Sequence, residues 1–216
     1  MKRQNILAHR GLWTFKEEQN SLDALRSALD SGFGIETDLR DHNGYLVVSH
    51  DFPSVDDAIL RFDDLLQTVN QYECAKMALN VKADGLLTLL SPHLSASPKP
   101  FENAFFFDMS VPDMLPYIDS ALDCFARNSE YEKPIFTAVQ IEGYWIDDFK
   151  GRFDQVTAAE SLLAQNFSVA IVSSELHGRN PQKLWEKIKT SGVYKDDRFH
   201  ICTDLPFDFE KFVKEI

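Results

Sequence analysis

The sequence predicts a single (β/α)8 barrel of the TIM type over residues 1–216, compact and somewhat irregular around its fifth and sixth strands. Three observations carry that reading. Eight β-like runs recur, near 5–9, 34–39, 77–82, 104–109, 123–127, 138–143, 168–174 and 199–203, and most are separated by amphipathic stretches. Strands alternating with helices imply a parallel sheet, and eight of them suggest closure into a barrel. The runs are also apolar, as strands covered on both faces should be, with polar residues gathered near their ends. Barrels build their sites at that rim. Finally, 216 residues at 44% hydrophobic content can bury one sizeable core. Such barrels usually need about 250 residues, with about 200 as the lower limit, so the fit is tight. No repeat, linker or low-complexity tract divides the chain.

Taken in order, the first strand, NILAHR, leads to an amphipathic stretch at 20–31, with an Asn-Ser start and Gly32 as its stop. The second strand, FGIETDL, is followed by a ninth β-run at 45–50 that reads as its extension. Residues 54–71 predict a helix with Ser54 as cap and acidic residues in the first turn. MALNVK at 77–82 is the third strand, a short helical segment follows near 84–90, and the Ser/Pro-rich 91–100 reads as a surface loop. AFFFDM at 104–109 precedes a helix or helical turn from Val111. DCFAR at 123–127 and TAVQIEGYW at 137–145 supply two strands whose connection is too short for a regular helix. Helices at 156–165 and 181–191 alternate with SVAIVSSE and FHICTD, and a short helical tail ends the chain.

The formal net charge of −12 argues against nucleic acid and anionic membrane surfaces as general partners. It leaves an anionic small molecule open, because local cations decide that. Cys74, Cys124 and Cys202 show no CxxC spacing and read as reduced, mostly buried thiols. The first strand begins by Asn5, which leaves no room for a signal peptide, and no apolar run approaches the ~20 residues of a bilayer span. The expectation is a cytoplasmic protein without stable membrane insertion. Nothing in the sequence sets its oligomeric state.

Three short stretches carry chemistry: AHRG at 8–11, ETD at 36–38 and SHD at 49–51. A period of two places Glu36 and Asp38 on one strand face, with Ile35, Thr37 and Leu39 on the other. Two neighbouring carboxylates repel unless a cation lies between them. Oxygen ligands of this kind suit Ca²⁺ or Mg²⁺, and salt bridges to Arg10 or Lys82 are the alternative.

This stretch resembles the glycerophosphodiester phosphodiesterase family, relatives of the phosphatidylinositol-specific phospholipases C. The family's signature matches His9-Arg10-Gly11, Gln19-Asn20-Ser21, Glu36-Thr37-Asp38 and His50-Asp51 in order and spacing, over roughly the first quarter of the chain. The resemblance implies metal-assisted hydrolysis of a small phosphodiester, either a glycerophosphodiester or a related sugar- or polyol-phosphate diester. In it His9 and His50 share proton transfer, with the acid and base roles unassigned, and Glu36, Asp38 and Asn80 hold a divalent cation. Arg10 and Lys82 bind the phosphoryl oxygens, Arg through its planar fork and Lys as a point charge. Arg10 follows His9 onto the opposite strand face, which leaves its direction open.

The chain departs from the family at several places. Asn80 stands where the ordinary pattern has a glutamate ligand, although the phospholipase C relatives use an asparagine oxygen on calcium. Gln19 replaces a glutamate. SSELHGR replaces the tryptophan motif of the penultimate strand, while Trp145 follows the sixth. CTDLP at 202–206 is similar to the family's closing motif. Asp108, Arg127, Glu142, Trp145, Glu175, His177 and Arg179 are candidate substrate-pocket residues, and the charged ones could equally form a lattice holding the loops. Two further readings compete: phospholipase C-like transfer to an internal hydroxyl giving a cyclic phosphate, and a catalytically degenerate barrel that only binds a phosphorylated ligand.

Overall fold

The computed structural model describes residues 1–54, 59–137 and 140–215. Its ten strands are β1 (Ile6–His9), β2 (Gly34–His42), β3 (Tyr45–Val48), β4 (Leu60–Arg61), β5 (Met77–Val81), β6 (Ala104–Phe107), β7 (Cys124–Asn128), β8 (Gly143–Ile146), β9 (Ser168–Val172) and β10 (Phe199–Thr203). Eight of these run parallel in the order β1-β2-β5-β6-β7-β8-β9-β10, and β1 pairs with both β2 and β10. The sheet is therefore closed. It is the predicted barrel, with β3 and β4 as an antiparallel ribbon added to the extended end of β2.

Helices α1 (Leu22–Asp30), α2 (Phe62–Val69), α3 (Leu87–Ala96), α4 (Val111–Asp119), α5 (Gln155–Ala164), α6 (Gln182–Ser191) and α7 (Pro206–Lys214) flank it. Among the described residues none lies between β7 and β8, which is the expected irregularity. In α1 the Ser21 hydroxyl accepts from the Ala24 amide at 3.2 Å, and Ala24, Leu25, Ala28 and Leu29 form its buried stripe. No helix among the described residues is long and apolar enough to cross a membrane.

Alternation along the strands divides the apolar residues into two cores. Ile6, Ala8, Ile35 and Leu39 point outward and pack beneath the helices. Leu7, Ala78, Phe105, Phe107, Phe125, Trp145, Ala170, Val172 and Cys202 fill the barrel. Within it Phe105 stacks on Phe125 at 3.8 Å and Phe107 on Trp145 at 3.9 Å between ring centroids. The three cysteines are free; Cys124 and Cys202 are buried and Cys74 is exposed.

Three boundaries differ from the expected ones. α2 begins at Phe62 rather than near Ser54, because Leu60 and Arg61 pair with β3 and the Arg61 guanidinium stacks 3.8 Å over Tyr45. Part of the expected helix, residues 55–58, lies outside the described residues. α3 continues to Ala96 through the expected loop, despite Pro92, with the Ser91 and Ser95 hydroxyls donating to the Leu87 and Ser91 carbonyls. β8 occupies 143–146; of the expected 138–143, residues 138 and 139 lie outside the described residues and 140–142 are not strand. Ahead of it, Thr137 donates its amide (2.9 Å) and hydroxyl (3.0 Å) to the Gln140 side-chain oxygen. The strand starts at Gly143, where a Cβ would lie 2.3 Å from the Ser168 carbonyl oxygen.

Candidate active site

β1 ends at His9, whose ring points into the barrel mouth, two residues on from inward-facing Leu7. Its Nδ1 lies 2.7 Å from Asp204 Oδ1, at the end of β10. A carboxylate there accepts, so Nδ1 carries the proton and Nε2 is turned toward Glu36 Oε2, 3.9 Å away. The Trp13 indole donates to the His9 carbonyl at 3.0 Å. Beyond His9 the strand breaks its alternation: Arg10 has φ 57° and Gly11 φ 92°. A Cβ on Gly11 would lie 2.5 Å from the Ala24 carbonyl carbon, so only glycine fits against α1. This turn brings the Arg10 side chain back over the mouth, settling the direction that strand periodicity left open.

Asp38 is fully buried and receives three partners: Arg10 Nε at 3.0 Å, Lys82 Nζ at 3.3 Å and the Asn20 amide at 2.8 Å. Asn20 is itself held by the Thr37 hydroxyl at 2.8 Å. Asp38 therefore has the salt bridges that the sequence offered as the alternative to a metal. Glu36 does not. Its Oε2 is buried without a hydrogen-bond donor, as are Asn80 Oδ1 and, despite the nearby Lys82 ammonium, Asp38 Oδ1. Burial, and then the charge of Asp38, pushes the Glu36 carboxyl up to about 7, against the opposing pull of His9, Arg10 and Lys82. Strand register keeps these groups together, pairing His9 with Glu36 and Asp38 with Asn80.

His50 follows β3, where the Ser49 amide donates to the Asp38 carbonyl at 3.0 Å and Arg40 Nε to the His50 carbonyl at 2.9 Å. Its Nδ1 lies 2.8 Å from Asp51 Oδ1, and it is more open to solvent than His9. Lys82 also reaches Asp108 at 3.5 Å, Asp108 pairs with Arg127 at 3.1 Å, and Arg127 with Glu132 at 2.8 Å. His177 Nε2 lies 2.6 Å from Asp147 Oδ1, a hydrogen bond that raises the imidazole's pKa.

One cavity of about 550 Å³ at the carboxyl ends of the strands is lined by His9, Arg10, Glu36, His50, Asn80 and Lys82, and also by Asp108, Arg127, Trp145, Glu175 and His177. Two expected pocket residues are elsewhere. Because β8 starts at Gly143, Glu142 sits exposed at the amino end of the barrel and accepts from the Ser168 hydroxyl at 2.6 Å. Arg179 braces the loop after β8, donating to the Asp148 and Phe149 carbonyls. Asp204, Trp13, Asn20, Arg40 and Asp147 belong to the site or its supports without having been named as site residues. Asp204 had a signal as the polar end of the last strand within CTDLP, and Asn20 as part of the Gln19-Asn20-Ser21 motif.

Buried oxygens of Glu36, Asp38 and Asn80 without hydrogen-bond donors fit a hard cation, and Asp38 also lies within ion-pair distance of Arg10 and Lys82. Among the described residues no group of three His, Cys, Asp or Glu side chains has metal-holding geometry. The donor set thus fits an ion held by few protein oxygens that completes its shell with water or ligand, a habit of Mg²⁺.

Fold and site together define a closed parallel barrel with a polar, histidine-bearing mouth. No family model matches the sequence, and no curated protein is similar to it in sequence. Solved structures are similar in fold. A glycerophosphodiester phosphodiesterase from Parabacteroides distasonis has TM-score 0.69 at 15% identity, covering 98% of this chain and 97% of that one. One from Agrobacterium tumefaciens has TM-score 0.64 at 18% identity, covering 100% of both. An Oleispira antarctica phosphodiesterase in complex with the product sn-glycerol-3-phosphate has TM-score 0.63 at 15% identity, covering 97% and 96%. The chain shares the whole barrel of these proteins.

Proposed function

We propose that this chain hydrolyses a small phosphodiester of the glycerophosphodiester type or a related polyol-phosphate diester. One observation carries the reading: in a single cavity, His9, with Nδ1 bound to Asp204 and Nε2 free, faces donor-less oxygens of Glu36 and Asn80 beside Arg10 and Lys82. Hydrolysis forms a bond from water oxygen to phosphorus and breaks one to the leaving alkoxide. A base takes the water proton and an acid returns one to the alcohol. His9 and His50, both on the cavity wall, are the proton carriers in this reading, and Asp204 holds the His9 ring in one tautomer. Lys82 and Arg10 place positive charge where the non-bridging oxygens would lie. Glu36 and Asn80, with Asp38 behind them, would hold a divalent cation, which when bound supplies Lewis-acid polarisation of the phosphoryl group.

The fold shared with proteins named as glycerophosphodiester phosphodiesterases, and with a phosphodiesterase in complex with the product sn-glycerol-3-phosphate, supports this substrate class. The test is a panel of glycerophosphodiesters incubated with the full chain, with and without Mg²⁺, Ca²⁺ or Mn²⁺, and read by ³¹P NMR. A phosphomonoester and a free alcohol are expected. A cyclic phosphate would instead assign transfer to an internal hydroxyl, and intact diester throughout would leave a binding protein.

A further inference from the structure

Glu175 lines the cavity, yet its carboxylate is already committed. Oε1 accepts from the Thr203 hydroxyl and, at 3.2 Å, from the Asp204 amide. Oε2 accepts from the Ser173 hydroxyl at 2.5 Å, and the Ser173 oxygen accepts from the Trp185 indole at 2.9 Å. Thr203 Oγ1 accepts in turn from the Leu205 amide at 3.0 Å. Ser173 and Thr203 are completely buried. A carboxylate with three donors inside the fold has little capacity left for a ligand. What it holds is the end of β10, at the residues where the chain leaves the sheet and presents Asp204 to His9.

From this chain of contacts we infer that Glu175 is a positioning residue for His9, acting through Thr203 and the Asp204 backbone. The inference rests on the phosphodiesterase reading above for its catalytic consequence. Its geometric content stands apart from that reading. β1 and β10 are neighbours, with Ala8 in register with Thr203, so sheet pairing fixes the backbones one residue before His9 and Asp204. Beyond that point the ladder stops. The amide of Asp204 donates to Glu175 instead of to a strand, and the hydroxyl of Thr203 bridges Glu175 to the Leu205 amide. Without the carboxylate, Asp204 loses the anchor that sets its side chain 2.7 Å from His9 Nδ1. Misplacing a catalytic group by about 1 Å is enough to cost about 10²-fold in rate.

The test compares Glu175→Gln, Glu175→Ala, Asp204→Asn and the double variant Glu175→Gln/Asp204→Asn in the full chain. In Glu175→Gln, kcat is expected to fall about 10²-fold with KM little changed. The double variant should lose scarcely more than Asp204→Asn alone, because both changes act on one unit. Independently of activity, ¹⁵N-histidine NMR should show the His9 proton on Nδ1 in the wild type and mixed tautomers in either Glu175 variant. Trp185→Phe, which cuts the chain at its outer end, should lower the melting temperature while leaving the His9 signature in place. A wild-type His9 signature in a folded Glu175→Gln protein overturns the inference, as do multiplicative losses in the double variant. Failure of both Glu175 variants to fold also overturns it, assigning the carboxylate to the fold alone. If the wild type cleaves no diester the functional reading falls, and the NMR comparison still decides the role of Glu175.

Discussion

His200 allows a stability prediction that can be worked from one group. It lies on β10 inside the barrel, 2% exposed, with Nδ1 donating to the Val169 carbonyl at 3.2 Å and Nε2 buried without a partner. The rings of Phe105 and Phe125 stand edge-on to it, at centroid distances of 5.9 and 6.2 Å. Burial, reinforced by the charge of Lys76, lowers its pKa to about 3 from an ordinary 6.5. The unfolded chain therefore takes up a proton near pH 6.5 that the folded chain refuses until about pH 3. The folded state keeps its full stability from this group above pH 6.5 and loses it as pH falls through that window. Each pH unit well below 6.5 is worth up to about 1.4 kcal/mol, so the loss between pH 6.5 and 4.5 is on the order of 2 kcal/mol.

His200→Leu removes this liability. At pH 7 the variant should be slightly less stable, by about 1 kcal/mol for the lost hydrogen bond. At pH 4.5 it should be more stable than the wild type, so the two curves cross. Urea denaturation at several pH values gives the difference directly, and other titrating groups, including Glu36 with its opposite pH dependence, cancel in the subtraction. Parallel stability curves between pH 7 and 4.5 would show that His200 is not buried neutral, and the packing inferred for the barrel floor would be wrong.

Other expectations bear on the mouth. Asn80→Glu places a carboxylate in register with Asp38, so it should destabilise the cation-free protein and tighten Mg²⁺ binding; calorimetry showing weaker binding would remove Asn80 from the ligand set. His9→Ala and His50→Ala should each cost at least about 10²-fold in hydrolysis, with the double variant little worse. A p-nitrophenyl ester, whose leaving group needs no proton, should rescue only the variant lacking the acid, which assigns the two roles. Gly143→Ala forces a methyl against the Ser168 carbonyl oxygen and should lower the melting temperature more than a typical surface substitution.

Most of the barrel was legible because its strands are buried on both faces, which writes them as short apolar runs ending in a polar residue. His9, Glu36, Asp38 and Asn80 were found that way, and period two correctly put Glu36 and Asp38 on one face. β8 was misplaced because TAVQIEGYW is β-like throughout. Its start depends on Gly143 meeting a carbonyl on β9, a contact between residues distant in sequence. Glu142 was carried to the wrong end of the barrel by the same error. Arg10 was ambiguous because nothing local announces a left-handed residue after a strand, whereas the following glycine, pressed against α1, does so in three dimensions. Asp204 was visible as a strand end, but its partnership with His9 exists only because β10 closes onto β1.

The charges at the mouth explain how an acidic chain can suit an anionic ligand. From β1 to the loop after β7 they alternate: Arg10, Asp38, Lys82, Asp108, Arg127, Glu132, each within 3.5 Å of the next. Within that lattice each internal charge is shared between neighbours of opposite sign, which is the arrangement that makes buried carboxylates such as Asp38 tolerable. Glu36 stands outside it, with His9 at 3.9 Å as its nearest ion-pair partner, and it is Glu36 whose carboxyl is pushed up to about 7. Ionised Glu36 therefore has a need for positive charge that the protein leaves largely unmet. A cation meets that need, and so does a protonated His9. Under the proposed phosphodiesterase reading, the same cation together with Lys82 would neutralise an incoming phosphate locally, whatever the −12 of the whole chain.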